Sequence, residues 1–390
     1  MVLSSTGDRA RGGGGQSYRG GMAAGRRAAA ARWAAVGALV AVLASLPALI
    51  GALPASDATI SAHELRSRVL ASSAVPFSGY AESAGGLSLP VTEQLTSVAN
   101  LFSDRTTMRV WWRGPTDNRV DVVTATGETG THTGTGGSWT WEYERATATR
   151  VAATPLALPA PPDLLPTALG RRLLSEATDA ELTRIGARRV AGRDALGLRL
   201  TPAEKASSVR RVDVWVDRTS GLPLQVRVLG TEGSRTALDT RFLDLDLTAP
   251  RPETTAFSPP PGAVFRVGHE AEIVLEAGRR IQPVPLPGTL AGLPRRRLDG
   301  VPAAIGLYGR GVTLLAVAPI RQRLARGLHD TLVRSPGAVV DDRGVRVAVG
   351  PVGLMLVQPQ GGGPYVLTGT VTPAALDAAA AELPGLGARR

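Results

Sequence analysis

No cysteine occurs anywhere in the 390 residues, which excludes disulfides, thiolate catalysis, Cys-ligated zinc and a lipidated N-terminal cysteine together. Lysine is almost as scarce, Lys205 being the single one, so the net charge of +11 is carried by arginine. Six of those arginines, Arg9, Arg11, Arg19, Arg26, Arg27 and Arg32, precede the first apolar segment and face only Asp8. The rest are scattered singly, with no basic stripe interleaved with aromatics, so the charge reads as solvated surface and no nucleic-acid partner is expected. Histidine is limited to His63, His132, His269 and His329, far apart and without HExxH or paired-ligand spacing. Neither a metal site nor any other cofactor is expected. Aromatics are few while Gly and Pro are plentiful, a composition that suits a turn-rich globular body.

Catalytic signatures are missing too. There is no Gly-x-Ser-x-Gly elbow. The cluster Gly134-Thr135-Gly136-Gly137 lacks a P-loop lysine and precedes a strand, so it reads as a tight hairpin turn. Glu142, Glu144, Asp213, Asp217, Asp244 and Asp246 are numerous enough to suggest paired-carboxylate chemistry on envelope polysaccharide, but nearly all occupy the polar phase of alternating segments. A non-enzymatic protein is the reading these residues favour.

One long uncharged run is present. Trp33 to Leu53 spans 21 residues, close to the roughly 20 that a bilayer-crossing helix needs. Arg26, Arg27 and Arg32 before it favour a cytoplasmic N-terminus for residues 1–32, whose Gly12–Gly15 run reads as a disordered tail. Ser56-Asp57-Ala58 supplies small residues of the kind found at a signal-peptide cleavage site, so segment 33–53 is either a retained single-pass anchor or a cleaved signal. Either way the body is delivered outside the cytoplasm, at the membrane or secreted.

In the body, Ser61-Ala-His-Glu64 matches a capping box and predicts a helix to about Ser73. Alternation then predicts strands over Pro76–Glu82, Thr106–Arg113, Arg119–Thr124 and Ser138–Glu144, the last placing Trp139, Trp141 and Tyr143 on one face. A Pro-punctuated stretch leads into Leu164, Leu165, Leu169, Leu173 and Leu174 at helical spacing, and Thr178-Asp-Ala-Glu181 reads as a short capped helix or a polar loop. Strands return over Val190–Thr201, Arg211–Asp217, Leu222–Leu229 and Phe242–Leu247. Residues 266–300 read as a Pro-rich linker. Beyond it come a hairpin about Gly309-Arg-Gly311, a helix from Pro319 to Val333, three strands, and a final helix capped by Thr372. The run Arg295-Arg-Arg297 reads as a surface loop or a contact for anionic lipid.

This order of parts, with Val190-Ala-Gly-Arg-Asp and above all Val212-Asp-Val-Trp-Val-Asp-Arg-Thr-Ser-Gly-Leu-Pro-Leu224, resembles the N-terminal domain of the RseB/MucB proteins and their LolA and LppX relatives. Gly363 to Leu383 is similar to the smaller C-terminal domain of the RseB type. The resemblance implies an α+β chain. Residues 59–265 would form a curved, antiparallel, unclosed β-barrel with helices in its mouth, and residues 301–385 a smaller α+β domain. It further implies a regulator of envelope-stress signalling that holds a membrane-bound anti-sigma factor, or a lipid or lipoprotein carrier, working through a hydrophobic cavity for a lipid or acylated ligand. Val110, Trp112, Trp139, Trp141, Tyr143 and Val214 are candidates to line that cavity, or are plain core.

Overall fold

The computed structural model describes residues 33, 36, 40, 55–85, 105–153, 159–231, 236–268, 286–358 and 363–383. The chain divides into two compact units, Met1–Pro54 and Ala55–Arg390. In the first, Trp33, Val36 and Val40 are helical and exposed, and most of the segment 33–53 lies outside the described residues. Among the described residues no helix is long and apolar enough to cross a membrane.

The second unit opens with helix α1 (Ala62–Ala71), whose N-cap Ser61 accepts a hydrogen bond from the Glu64 backbone N–H at 3.0 Å. Strands β1 (Phe77–Gly85), β2 (Arg105–Gly114), β3 (Asp117–Thr124), β4 (Gly127–Gly134), β5 (Gly137–Glu142) and β6 (Thr147–Ala152) follow as an antiparallel meander. After helix α2 (Pro166–Leu174), with Pro at its first position, come β7 (Leu182–Val190), β8 (Arg193–Leu200), β9 (Val209–Asp217), β10 (Pro223–Gly230) and β11 (Thr236–Asp246). One turn of helix, α3 (Pro252–Thr255), and the short β12 (Val264–Val267) complete this half.

All of these strands join one sheet in the order β12-β6-β5-β4-β3-β2-β1-β11-β10-β9-β8-β7. Its two ends, β12 and β7, do not pair with each other, so the sheet is unclosed. It is curved: β7 returns to touch β11, although three strands separate them in the order. Every pairing is antiparallel except β12 on β6. The Asp217–Leu222 turn that the family resemblance rested on is a tight connection in which Gly221 has φ +74° and Asp217 accepts from the N–H groups of Thr219 and Ser220.

The remaining residues build a smaller α+β region. Its sheet runs β13 (Thr289–Leu290), β14 (Leu293–Arg296), β15 (Gly306–Arg310), β16 (Thr313–Pro319), then β20 (Tyr365–Gly369), β19 (Val352–Val357), β18 (Gly344–Val349) and β17 (Val339–Asp341). Helix α4 (Gln322–Val333) packs on β18 and β19, and α5 (Pro373–Glu382), capped by Thr372 at the Ala375 N–H, packs on β19. Pro319 ends β16 and does not start α4, whose N-cap is Arg321. Part of the stretch read as a Pro-rich connection, Thr289–Leu290 and Leu293–Arg296, thus forms strands of the second sheet.

The two sheets are tied directly. Ser207 bridges Val371, the Thr372 N–H donates to the Ala206 carbonyl at 2.8 Å, and the Ser208 hydroxyl donates to the Pro351 carbonyl. Beside them, Arg310 forms a pair of hydrogen bonds with the buried Glu181 at 3.0 and 3.1 Å and reaches Glu204 at 2.9 Å, while Arg296 makes a second forked contact with Glu176 at 3.0 and 2.7 Å.

Candidate functional site

Strand alternation gives the large sheet two chemically distinct faces. Following the register from strand to strand, Phe77, Ala81, Met108, Val110, Trp112 and Val120 share one face in the first half of the sheet. In the second half Phe242, Val226, Val214 and Leu198 continue it. Helices cover this face. Leu164 and Leu165, just before α2, pack into the cluster with Phe77, Val110 and Trp112, whereas Leu65 and Val69 of α1 and Leu174 of α2 pack with Val214 and Leu198.

Helix α2 lies very close to the strands. A Cβ on Gly170 would sit 2.8 Å from Pro223, and the Thr240 hydroxyl donates to the Leu164 carbonyl at 2.6 Å. The Arg171 guanidinium stands over the Trp112 ring at 5.5 Å, and burial pulls its pKa down to about 10.

The opposite face is charged and aromatic. Arg199 pairs with Asp213 through two hydrogen bonds at 2.6 and 2.9 Å, Gln225 donates to Asp239 at 2.6 Å, and Arg105 and Arg241 both reach Glu82. Arg119 lies over Trp111 at 4.9 Å, binds Asp121 and donates to the Tyr143 hydroxyl at 2.8 Å. Arg188 lies over Trp215 at 3.9 Å.

Near β4 and β5 this face is crossed by the segment leading from β11 to β12. Arg113 donates to the Pro250 carbonyl at 2.7 Å, the Thr255 hydroxyl donates to Asp117, and the Thr255 carbonyl accepts from His132 Nδ1 at 3.0 Å, which fixes the proton on that nitrogen. Phe257 then packs at 4.7 Å from His132, 5.8 Å from Trp139 and 6.0 Å from Trp141. Burial pushes the His132 pKa down, against the raising effect of its bond to the Thr255 carbonyl, and Arg119 lowers it further. His132 is therefore a neutral, buried structural histidine.

Residues 159–259 match the model of the MucB/RseB N-terminal domain. That stretch of the chain is MucB/RseB-like. The matched stretch holds α2, strands β7–β11 and the Pro250–Phe257 segment, so it supplies the helix that lies on the apolar face and the strap on the other. Among solved structures, the MucA/MucB complex of Pseudomonas aeruginosa aligns at 20% identity over 84% of this chain and 99% of that one, with a TM-score of 0.47. A crystal structure of MucB aligns at 15% identity over 84% and 98%, with a TM-score of 0.43. A LolA superfamily protein from Nitrosomonas europaea aligns at 10% identity over 51% and 99%, with a TM-score of 0.26. No curated protein matches the sequence.

Within the large sheet, the six residues read from the sequence fall in three places. Val110 and Trp112 lie together beneath Leu164 and Leu165, and the Trp112 indole N–H donates to the Ser73 carbonyl at 3.1 Å. Val214 is on the same face but packs in the neighbouring cluster under α1 and α2. Trp139 and Trp141 are on the other face, because Trp139 pairs with His132, His132 with Arg119 and Arg119 with Trp111. Tyr143 lies just past β5, half-exposed, with its ring edge-on to Trp141 at 5.9 Å.

The alternating sequence set Trp111 apart from Trp112 correctly, but β4, Gly-Glu-Thr-Gly-Thr-His-Thr-Gly, has no apolar alternation from which to carry the phase onward to Trp139. The residues that sequence reading missed at this end, His132, Phe257 and Phe265, carry no local signal. A cleft of about 470 Å³ opens beside them, lined by Trp139, Phe257, Arg150 and the glycines of the β4–β5 turn. A second, of about 690 Å³, lies between the start of the unit at Asp57–Ile60 and the side chains of Arg68, Leu196 and Arg218. Among the described residues no group of three or more His, Asp or Glu side chains is placed to hold a metal.

Proposed function

We propose that the chain is an extracytoplasmic regulatory binding protein, delivered or tethered by residues 33–53, that holds a membrane-bound anti-sigma factor and releases it when a lipid or acylated ligand occupies the apolar face of its large sheet. The observation that carries this reading is the MucB/RseB N-terminal-domain match over residues 159–259. MucB has been solved with MucA bound, and the same class of partner is proposed here. No catalytic step is part of the proposal.

In this reading helix α2 is the movable part. Val110, Trp112 and Val214 lie under α1, α2 and the residues that lead into α2, so an acyl chain reaches them by displacing protein and not by entering open space. The binding energy available to the ligand is the apolar area it covers, about 25 cal/mol per Å², less the packing that α2 gives up. Trp139, Trp141 and Tyr143, on the other face, take no part in that pocket.

Capture of the full chain from its own membranes, followed by direct binding with the purified candidate, tests the partner. Recovery of a single-pass anti-sigma protein that binds the purified chain supports the reading, and failure of every such protein to bind removes it. A lipid or lipoprotein carrier would use the same helix-covered apolar face. Native mass spectrometry separates the two, since a carrier co-purifies with acyl species and needs no protein partner.

A further inference from the structure

The two edges of the large sheet are finished differently. At β7, Arg184 is tied by hydrogen bonds to the carbonyls of Gly197, Ala58 and Ile60, and the strand curls back to touch β11. At the other end β12 adds one short parallel strand to β6 and is the last described strand of the sheet. All of Val264, Phe265, Arg266 and Val267 are exposed, Phe265 to 56%.

Among the described residues no strand pairs with the outer side of β12. Val264 donates its N–H to the Ala146 carbonyl and Gly268 donates to the Arg150 carbonyl, both at 2.8 Å. In a parallel ladder the residues bonded to one neighbour alternate along the strand, so the N–H and C=O groups of Phe265 and Val267 point to the free edge. Natural sheets usually blunt such an edge with proline, a bulge or a cover, and an unblunted edge is a template for a further strand.

Side-chain chemistry narrows what that strand is. Phe265 and Val267 offer apolar contact on the Trp139 side, with the Phe265 and Trp139 rings 5.6 Å apart. On the opposite face Arg266 is exposed and has no side-chain hydrogen bond or ion pair among the described residues. A second copy of this chain laid on the edge would add the same cation to a chain already at +11, whereas an acidic segment would neutralise it.

We infer that the free edge of β12 receives an extended acidic segment of a partner protein, which pairs with the main chain of Phe265 and Val267, sets apolar residues beside Phe265 and Val267 and sets carboxylates on the opposite face at Arg266. This deepens the reading of the chain as a partner-binding module and rests on it.

The test uses the full chain in detergent micelles and a short fluorescent peptide alternating Glu with Val and Thr, against the same peptide with Lys in place of Glu. Fluorescence anisotropy should show binding of the Glu peptide and at least about tenfold weaker binding of the Lys peptide. Val267→Pro removes an N–H that points outward and not toward β6, so it should leave the melting profile unchanged and weaken the Glu peptide by about tenfold or more. Arg266→Glu, an exposed change that leaves folding intact, should reverse the preference. Equal binding of both peptides, no binding of either, or binding that Val267→Pro and Arg266→Glu leave unchanged would overturn the inference. So would a concentration-dependent dimer that Val267→Pro abolishes, which would give the edge to a second copy. These outcomes are separate from the membrane-capture experiment, where an anti-sigma protein can bind with equal strength to wild type and Val267→Pro.

Discussion

The two faces of the large sheet are stabilised by different physics. On the helix side Val110, Val212, Val214 and Leu198 are fully buried against α1, α2 and the turn before α2, and their contribution grows with apolar area removed from water. On the other side the sheet carries Arg109, Arg119, Arg199 and Arg227, whose guanidinium groups close on carboxylates such as Glu128, Asp121, Asp213 and Asp239. A protein with one lysine and many arginines can lay such forks side by side, because guanidinium groups meet carboxylates in a plane. That separation puts the proposed ligand face and the ion-paired face on opposite sides of one sheet.

Neighbouring residues of β9 give the sharpest test of the contrast. Val214→Asp places an unpaired carboxylate in a site with no exposure and should cost more than about 4 kcal/mol, enough to leave the unit unfolded in a chemical-denaturation curve. Asp213→Asn, one position along and facing the other way, keeps the shape and leaves Arg199 a third exposed, so about 1 kcal/mol is expected. Similar losses for the two would erase the distinction between the faces.

The join between the sheets ranks next. Burial works against a charged Glu181, yet hydrogen bonds from Arg310, the N–H groups of Thr178 and Ala203 and the Thr178 hydroxyl outweigh it and hold its pKa at about 2. A carboxyl depressed in the folded state stabilises fully above its ordinary value near 4.5 and loses that contribution as pH falls toward 2. Arg310→Ala should therefore cost about 2 to 3 kcal/mol at neutral pH and make the acid limb between pH 4.5 and 2 shallower, measured by urea melts across that range. An acid limb identical to wild type would remove Arg310 from the account.

Gly170→Ala probes the helix side alone. The added methyl would lie 2.8 Å from Pro223, so α2 must ride up from the strands at a cost of about 1 to 2 kcal/mol, partly offset by alanine's better helix propensity. Uptake of a hydrophobic dye should increase. Unchanged dye binding with lowered stability would argue that α2 does not lift as a unit.

Much of this architecture was legible because alternation and capping are local. Ser61 caps α1, Thr372 caps α5, and the runs around Val110, Val214, Val226 and Phe242 became strands as their patterns required. Among the strands that escaped were β4, β6 and β7. The first is glycine and threonine, the second Thr-Ala-Thr-Arg-Val-Ala, and the third carries Arg184, Arg188 and Arg189, so none shows a clean apolar phase. Missing β4 had the larger consequence, since one unplaced strand loses the face of every later residue, and Trp139 was grouped with Trp112 although the two point opposite ways. Phe257 escaped for another reason: it lies in a Pro-rich segment whose packing is wholly tertiary.

His132, among the Trp139 and Phe257 rings, should give the smallest effect. Its ring is buried, its Nδ1–H is committed to the Thr255 carbonyl, and burial holds its pKa below the ordinary 6.5. A histidine depressed in the folded state is neutral there while the unfolded chain takes up a proton, so its contribution is complete above pH 6.5 and declines as pH falls through that value toward the folded one. His132→Phe keeps a ring against Phe257 but strands the Thr255 carbonyl, which costs about 1 kcal/mol at pH 8. Because phenylalanine cannot titrate, that deficit should shrink as pH is lowered below 6.5, and stability curves of wild type and variant should converge. A constant gap across that range would mean that the strap from Pro250 to Phe257 admits water to His132, and that the aromatic end of this face is as open as the Arg266 edge beside it.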